Sequence, residues 1–157
     1  MNIHRCNFSV SIDDARLIWR RYFPTVVASL EGTLLSGMTS PDVRFEDGLV
    51  VLMAKKKVLF LGETAVSVVV RVSAGADGRT VRAVPEKVGA GPIATGFAIK
   101  HVMAALGRKI ADVSGLKVDG DAVMVDVGEV LSGMGIALDG RISSVEVLAD
   151  KIEMAVV

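Results

Sequence analysis

The sequence predicts an α+β domain: a long, apolar central helix enclosed by antiparallel strands, with a second helix near the N-terminus. Three observations predict it. Apolar residues recur at helical spacing twice, from Ser11 and again from Ile93. Between and after these stretches, valines recur at every second position, as on one face of a strand. Asp-Gly pairs suited to tight hairpins separate the strand runs, so strands are grouped rather than alternating singly with helices.

The first helix opens at Ser11. Ser11 and Asp14 have capping-box spacing, and Asp13 and Asp14 suit the positive end of a helix dipole. Ile12, Ala15, Trp19, Tyr22, Phe23, Val26 and Leu30 then keep helical spacing. Pro24 falls inside this pattern. Proline removes a backbone hydrogen bond and collides with the preceding turn, so a kink or break is expected near Phe23. Gly32, Gly37 and Pro41 close the region.

Asp42 to Val88 reads as strand. Asp47-Gly48 turns Val43–Glu46 back onto Leu49–Ala54, and Asp77-Gly78 leads into Thr80–Val84. In Thr64–Ser73, Val66, Val68, Val70 and Val72 share one face. Short turns between successive strands imply an antiparallel meander. Gly89 to Gly91 end it, and Pro92 suits a first helical turn.

Ile93 to Val113 then predicts a helix of roughly five to six turns. Ile99, Val102, Met103, Leu106 and Ile110 cluster on one side, and Ala94, Ala98 and Ala105 line the flank. Lys100, His101, Arg108, Lys109 and Asp112 are its few strongly polar residues. A helix so apolar around its circumference needs cover on most sides, so a sheet is expected to wrap it. After Gly115 strands resume: Val123, Val125 and Val127, then Val145 and Val147, then Ile152, Met154 and Val156 alternate with their neighbours. Asp119-Gly120, Asp139-Gly140 and Ala149-Asp150 mark the turns.

A chain of 157 residues fits one domain, 1–157, large enough to bury a core without disulfides or metal. Hydrophobic residues make up 51% and aromatics 4%, so that core is aliphatic. A mean hydropathy of +0.50 requires the excess to be buried in a core, an interface or a ligand cavity. Eighteen basic residues balance eighteen acidic ones, which argues against general nucleic-acid binding. Cys6 is the single cysteine and forms no intrachain disulfide. Met1 to Ser9 is too polar for a signal peptide, and no apolar run reaches the length of a membrane span. The expected location is the cytoplasm, with peripheral membrane contact open.

Catalytic patterns are not found. His4 and His101 lack a nucleophile elbow, and His4 with Cys6 supplies too few ligands for zinc. Gly89, Gly91 and Gly96 match neither the dinucleotide fingerprint nor the P-loop. Asp13 with Asp14, Glu46 with Asp47 and Asp119 with Asp121 sit at a helix start or in turns, where local hydrogen bonding favours Asp. Neither an enzyme nor a cofactor is expected. Two basic groups remain: Arg16, Arg20 and Arg21 on the first helix, and the run Lys55, Lys56 and Lys57. They read either as solvated charge that discourages edge pairing or as attraction to anionic lipid head groups.

The second half, from Val66–Val88 through GPIATGFAIKHVMAALGRKI to DGDAVMVDVGEVL and the final strand pair, resembles the tubular lipid-binding superfamily. It is similar to the domains of lipopolysaccharide-binding and synaptotagmin-like mitochondrial lipid-binding proteins. The resemblance implies a long helix wrapped by a highly twisted antiparallel sheet, with an apolar groove holding acyl chains. Its lining would be Trp19, Phe23, Val26 and Leu30 of the first helix, and Phe97, Val102, Met103 and Leu106 of the central helix. Val68, Val70, Val125 and Met134 would complete it. Many bacterial relatives carry a signal peptide or anchor, which is not seen here. The expected function is non-catalytic binding of a lipid or apolar small molecule, as carrier or sensor, in a homodimer. The alternative is an assembly module whose apolar surface meets another protein or a second copy.

Overall fold

The computed structural model describes residues 6–29, 31–32, 36–60, 62–89, 98–133 and 135–157. Along them run β1 (Cys6–Ser11), α1 (Ile12–Ser29), β2 (Thr39–Glu46), β3 (Leu49–Val58), β4 (Gly62–Ala74) and β5 (Thr80–Gly89). They are followed by α2 (Ala98–Ile110), β6 (Leu116–Asp119), β7 (Ala122–Asp126), α3 (Val127–Ser132), β8 (Ile142–Val147) and β9 (Lys151–Val156). These strands form two antiparallel sheets, one of six in the order β2-β3-β4-β5-β7-β6 and one of three in the order β1-β9-β8.

The capping box forms as its spacing predicts. The Asp14 N–H donates to Ser11 Oγ at 3.1 Å, and the Ser11 N–H donates to Asp14 Oδ2 at 3.3 Å. Two of the orphan donors at the helix start are thereby satisfied. Of the kink or break expected near Phe23, the break does not occur: α1 is continuous from Ile12 to Ser29 with Pro24 inside it. Pro24 is exposed, and so is Arg20, the residue whose carbonyl a helical N–H at position 24 would have bonded.

The β2–β3 hairpin turns on Asp47 (φ 52°) and Gly48 (φ 75°), the two positive values of a type I′ turn. In β3 and β4, Val50, Leu52 and Ala54 stand opposite Val70, Val68 and Val66. This valine ladder is the inner face of the large sheet. Both β2 and β5 tolerate a proline at a register shift, Pro41 between Thr39 and Asp42, and Pro85 where Val69 and Val70 pair across a bulge. Past the bulge, β5 runs on to Gly89, where the strand signal was expected to end.

The inner face is covered by α1 and the small sheet together. Val43, 1% exposed, packs with Phe45, Val50, Val70 and Val147, flanked by Ile12, Ala15 and Trp19 of α1 and by Ile152 of β9. A second cluster joins Val81 to Ile142 and Val156, with Phe8 of β1 and Met154 of β9. The Ile142 N–H donates to the Gly78 carbonyl at 2.7 Å, tying the small sheet to the β4–β5 loop.

The expected architecture is therefore overturned. Among the described residues the fold is mostly sheet, with short helices beside two antiparallel sheets, and no long helix is wrapped by a sheet. Within the expected Ile93–Val113 helix, residues 93–97 lie outside the described residues and α2 ends at Ile110. The Val113 N–H donates to the Ile110 carbonyl at 2.9 Å, closing the last turn before Gly115 (φ 81°). The buried aliphatic residues of both clusters lie on the inner sheet faces, which are covered by one another and by α1. Val127, expected in a strand, begins α3, where the Asp126 carboxylate caps the helix by accepting from the Glu129 N–H at 2.9 Å. Strand β1, unforeseen in the sequence, pairs with β9 from Cys6↔Val156 to Ser11↔Lys151.

The β4–β5 loop is held by one carboxylate. Asp77 Oδ1 accepts from the Arg79 N–H, the Thr80 N–H and the Thr80 hydroxyl, each at 2.9 Å. These donors hold its pKa below the ordinary Asp value, the Arg79 N–H contributing most. The folded pKa lies below the unfolded one, so the stabilisation is complete above the unfolded value. It is lost as pH falls through the folded value. The stability difference between the native protein and Asp77→Ala is expected to be constant near neutrality. It should narrow in acid, as read by urea unfolding at a series of pH values.

Candidate functional site

Two costs meet at the tip of the β3–β4 hairpin. The last cross-strand pair is Val58↔Gly62, and Leu59 and Phe60 lie in the turn beyond it. Leu59 is 86% exposed and Phe60 104% exposed, the most exposed of the large hydrophobic residues described. Phe60 also has φ 70°, a value that a bulky side chain adopts only at a cost in backbone strain. The hairpin tip thus presents an aromatic and an aliphatic side chain fully to the outside, beyond the exposure of Leu17 (63%) and Ile18 (51%) on α1.

Below the tip stands a basic neck. Lys55, Lys56 and Lys57 belong to β3 and pair with Ala65, Thr64 and Glu63 of β4. The run lies in a strand paired on its β4 side, not in a loop. Pairing with β2 ends at Thr39↔Lys55. Lys55 and Lys57 are exposed. At a strand rise of about 3.3 Å per residue, Lys57 lies about 10 Å and Lys55 about 16 Å along the strand from Phe60.

Beside the neck, α1 crosses the edge strand β2. The Trp19 Nε1–H donates to the Met53 carbonyl at 3.4 Å, and Trp19 meets Phe23 edge-on at 5.4 Å between ring centroids. Arg16 Nε donates to Asp42 Oδ1 at 3.0 Å, and its Nη1 donates to Asp13 Oδ1 at 3.2 Å. Asp13, Arg16, Leu17, Arg20, Ser40, Pro41, Asp42 and Lys55 enclose an open cleft of about 820 Å³. On the outward side of α1, Leu17, Ile18 and Tyr22 are exposed.

The expected groove residues are distributed as follows. Phe23 is buried and Trp19 and Val26 are half-buried on α1. Val70 belongs to the first core cluster, with Trp19 and Val68 packed against it. Val125 is half-buried opposite Val81 in β7. Met103 is buried and Leu106 half-buried on α2. Met103 also lines a cleft of about 310 Å³ with Lys100, Ala104, Val118, Gly120 and Asp121. Leu30, Phe97 and Met134 lie outside the described residues, as does the side chain of Val102. Among the described residues, no three His, Cys, Asp or Glu side chains gather in a metal-binding arrangement. No described helix is long and apolar enough to cross a membrane.

Leu59 and Phe60 were not singled out in the sequence. The available signal was the run of three lysines leading directly into Val-Leu-Phe-Leu and a glycine. Compared with models of known families, with curated proteins and with solved structures, the chain matches none.

Proposed function

We propose that this chain is a non-catalytic lipid-binding module that docks on anionic membrane surfaces through the β3–β4 hairpin tip. The observation that carries the reading is the full exposure of Leu59 and Phe60 directly above Lys57 and Lys55. An apolar segment seated at an interface enters about 5–10 Å into the headgroup and acyl boundary. At that depth Lys57 lies level with the lipid phosphates. Burying one Phe or Leu side chain yields about 1.5–3 kcal/mol. Each Lys near an anionic surface adds about 1 kcal/mol. These sums fit reversible docking, not permanent anchoring.

Flotation with phosphatidylcholine vesicles, with and without phosphatidylserine, tests the reading. Binding should require phosphatidylserine and weaken as salt is added, because exposed charges are screened. Absence of binding to either vesicle at low salt rules the reading out.

A second reading is favoured by a separate observation, the exposed Leu17, Ile18 and Tyr22 on α1. This face would join two copies. Light scattering of the native protein decides it: a dimer that becomes a monomer on Ile18→Glu supports assembly, and a monomer at all concentrations removes it.

A further inference from the structure

We infer that the cleft between α1, β2 and the end of β3 is a binding site for a phosphate-bearing group, with Arg20 and Lys55 as its principal donors. The inference deepens the membrane-docking reading and rests on it for the source of the phosphate. The chemistry of the walls carries it. Three cations, Arg16, Arg20 and Lys55, face two carboxylates, Asp13 and Asp42. Both carboxylates are engaged by one cation: Arg16 spans them through Nε and Nη1. Asp42 Oδ1 also accepts from the Val43 N–H at 2.8 Å. Arg16 is thereby fixed, and the triad it forms with the two carboxylates carries a net charge of −1, which Arg20 and Lys55 together bring to +1 for the cleft. Among the described residues neither Arg20 nor Lys55 has a carboxylate partner, so the surplus charge of the cleft resides on these two. Arg offers a planar fork of donors and Lys a compact charge, the pair of chemistries that suits phosphate oxygens. Ser40 adds a hydroxyl on the same wall.

The size and position of the cleft favour a headgroup over a bare ion. A volume of about 820 Å³ lies in the range of small-molecule sites and exceeds what one phosphate fills. Lys55 belongs both to the cleft and to the neck of the hairpin. With the tip about 5–10 Å inside the acyl boundary and the strand upright, Lys55 stands about 6–11 Å above that boundary. A phosphomonoester projecting from a lipid headgroup reaches this height.

Two titrations test the site. In the first, inorganic phosphate is added to the native protein and followed by amide NMR. Saturable shifts at Ser40, Asp42 and Lys55 are expected, and Arg20→Gln with Lys55→Gln should remove them. Lys57→Gln, in the neck outside the cleft, should leave them unchanged. In the second, vesicles containing a phosphatidylinositol monophosphate, whose monoester stands beyond the glycerol phosphate, are compared with vesicles containing phosphatidylserine at matched surface charge. A preference for the inositol monophosphate lipid of about fivefold or more is expected of the native protein. Its loss in the double variant, with native melting temperature, places the ligand on a lipid. Phosphate shifts without any such preference support the site and assign it to soluble phosphate compounds. Identical phosphate titrations of the native protein and the double variant overturn it. Leu59→Ser with Phe60→Ser separates the two proposals: vesicle binding goes and phosphate shifts stay. If the native protein ignores every vesicle, membrane docking fails, and the phosphate titration still decides the cleft.

Discussion

Replacing Leu59 and Phe60 together by serine is expected to weaken binding to phosphatidylserine vesicles by about a hundredfold or more. The magnitude follows from losing two apolar side chains, each contributing about 1.5–3 kcal/mol when buried. Both residues are exposed in the free protein, so the double variant should melt within a degree or two of the native one. That contrast separates a docking tip from a structural element. Lys57→Gln should act differently, lowering binding by about fivefold at low salt and less at high salt. Equal vesicle binding by the native protein and the serine double variant would remove the hairpin tip from the site.

The second large effect is expected in the core. Phe23→Ala should cost about 3–5 kcal/mol, the usual range for emptying a buried aromatic position. Phe23 is 7% exposed and meets Trp19 edge-on, and Trp19 is tied to the Met53 carbonyl. The substitution therefore loosens the attachment of α1 to the large sheet. For a domain of this size each kcal/mol lowers the melting temperature by about 2–4 °C, so a fall of about 10 °C is expected. The measurement is thermal unfolding followed by far-ultraviolet circular dichroism. An unchanged melting temperature would mean that α1 is not docked through this face, and the cleft beside it would lose its wall.

Local chemistry was legible in the sequence and long-range packing was not. The Ser11 and Asp14 box, the Asp47-Gly48 turn and the valine alternation of β4 each depend on neighbouring residues, and each appears in the fold. Pro24 does not break α1, because the cost of a helical proline depends on its exposure, which no local pattern reveals. Strand β1 pairs with β9 at the far end of the chain, a partner that the short run Cys6–Ser11 does not announce. The apolar character of α2 suggested that the sheet exists to cover the helix. In the fold the two sheets and α1 cover one another, and Met103 and Ile110 supply the buried face of a shorter helix.

The candidate site shows the same limit. The lysine run was visible as charge, and its two meanings were both open. What the sequence did not reveal was that the chain reverses immediately after Val58, which turns Leu59 and Phe60 from strand interior into an exposed tip. Hydrophobicity is the same for a buried and a displayed phenylalanine; only the turn position distinguishes them. The cleft is likewise a product of tertiary structure. It brings Arg16 and Arg20 of α1 next to Lys55 of β3, which the sequence shows as separate basic groups.

Membrane docking through the hairpin tip is tested most directly by placing a reporter at the tip. With Trp19→Phe removing the native indole, Phe60→Trp supplies a single fluorophore at the point expected to enter the lipid. On addition of phosphatidylserine vesicles its emission should shift to the blue, and lipids brominated near the top of the acyl chain should quench it. An emission spectrum unchanged by vesicles, with no quenching by brominated lipid, would contradict the account.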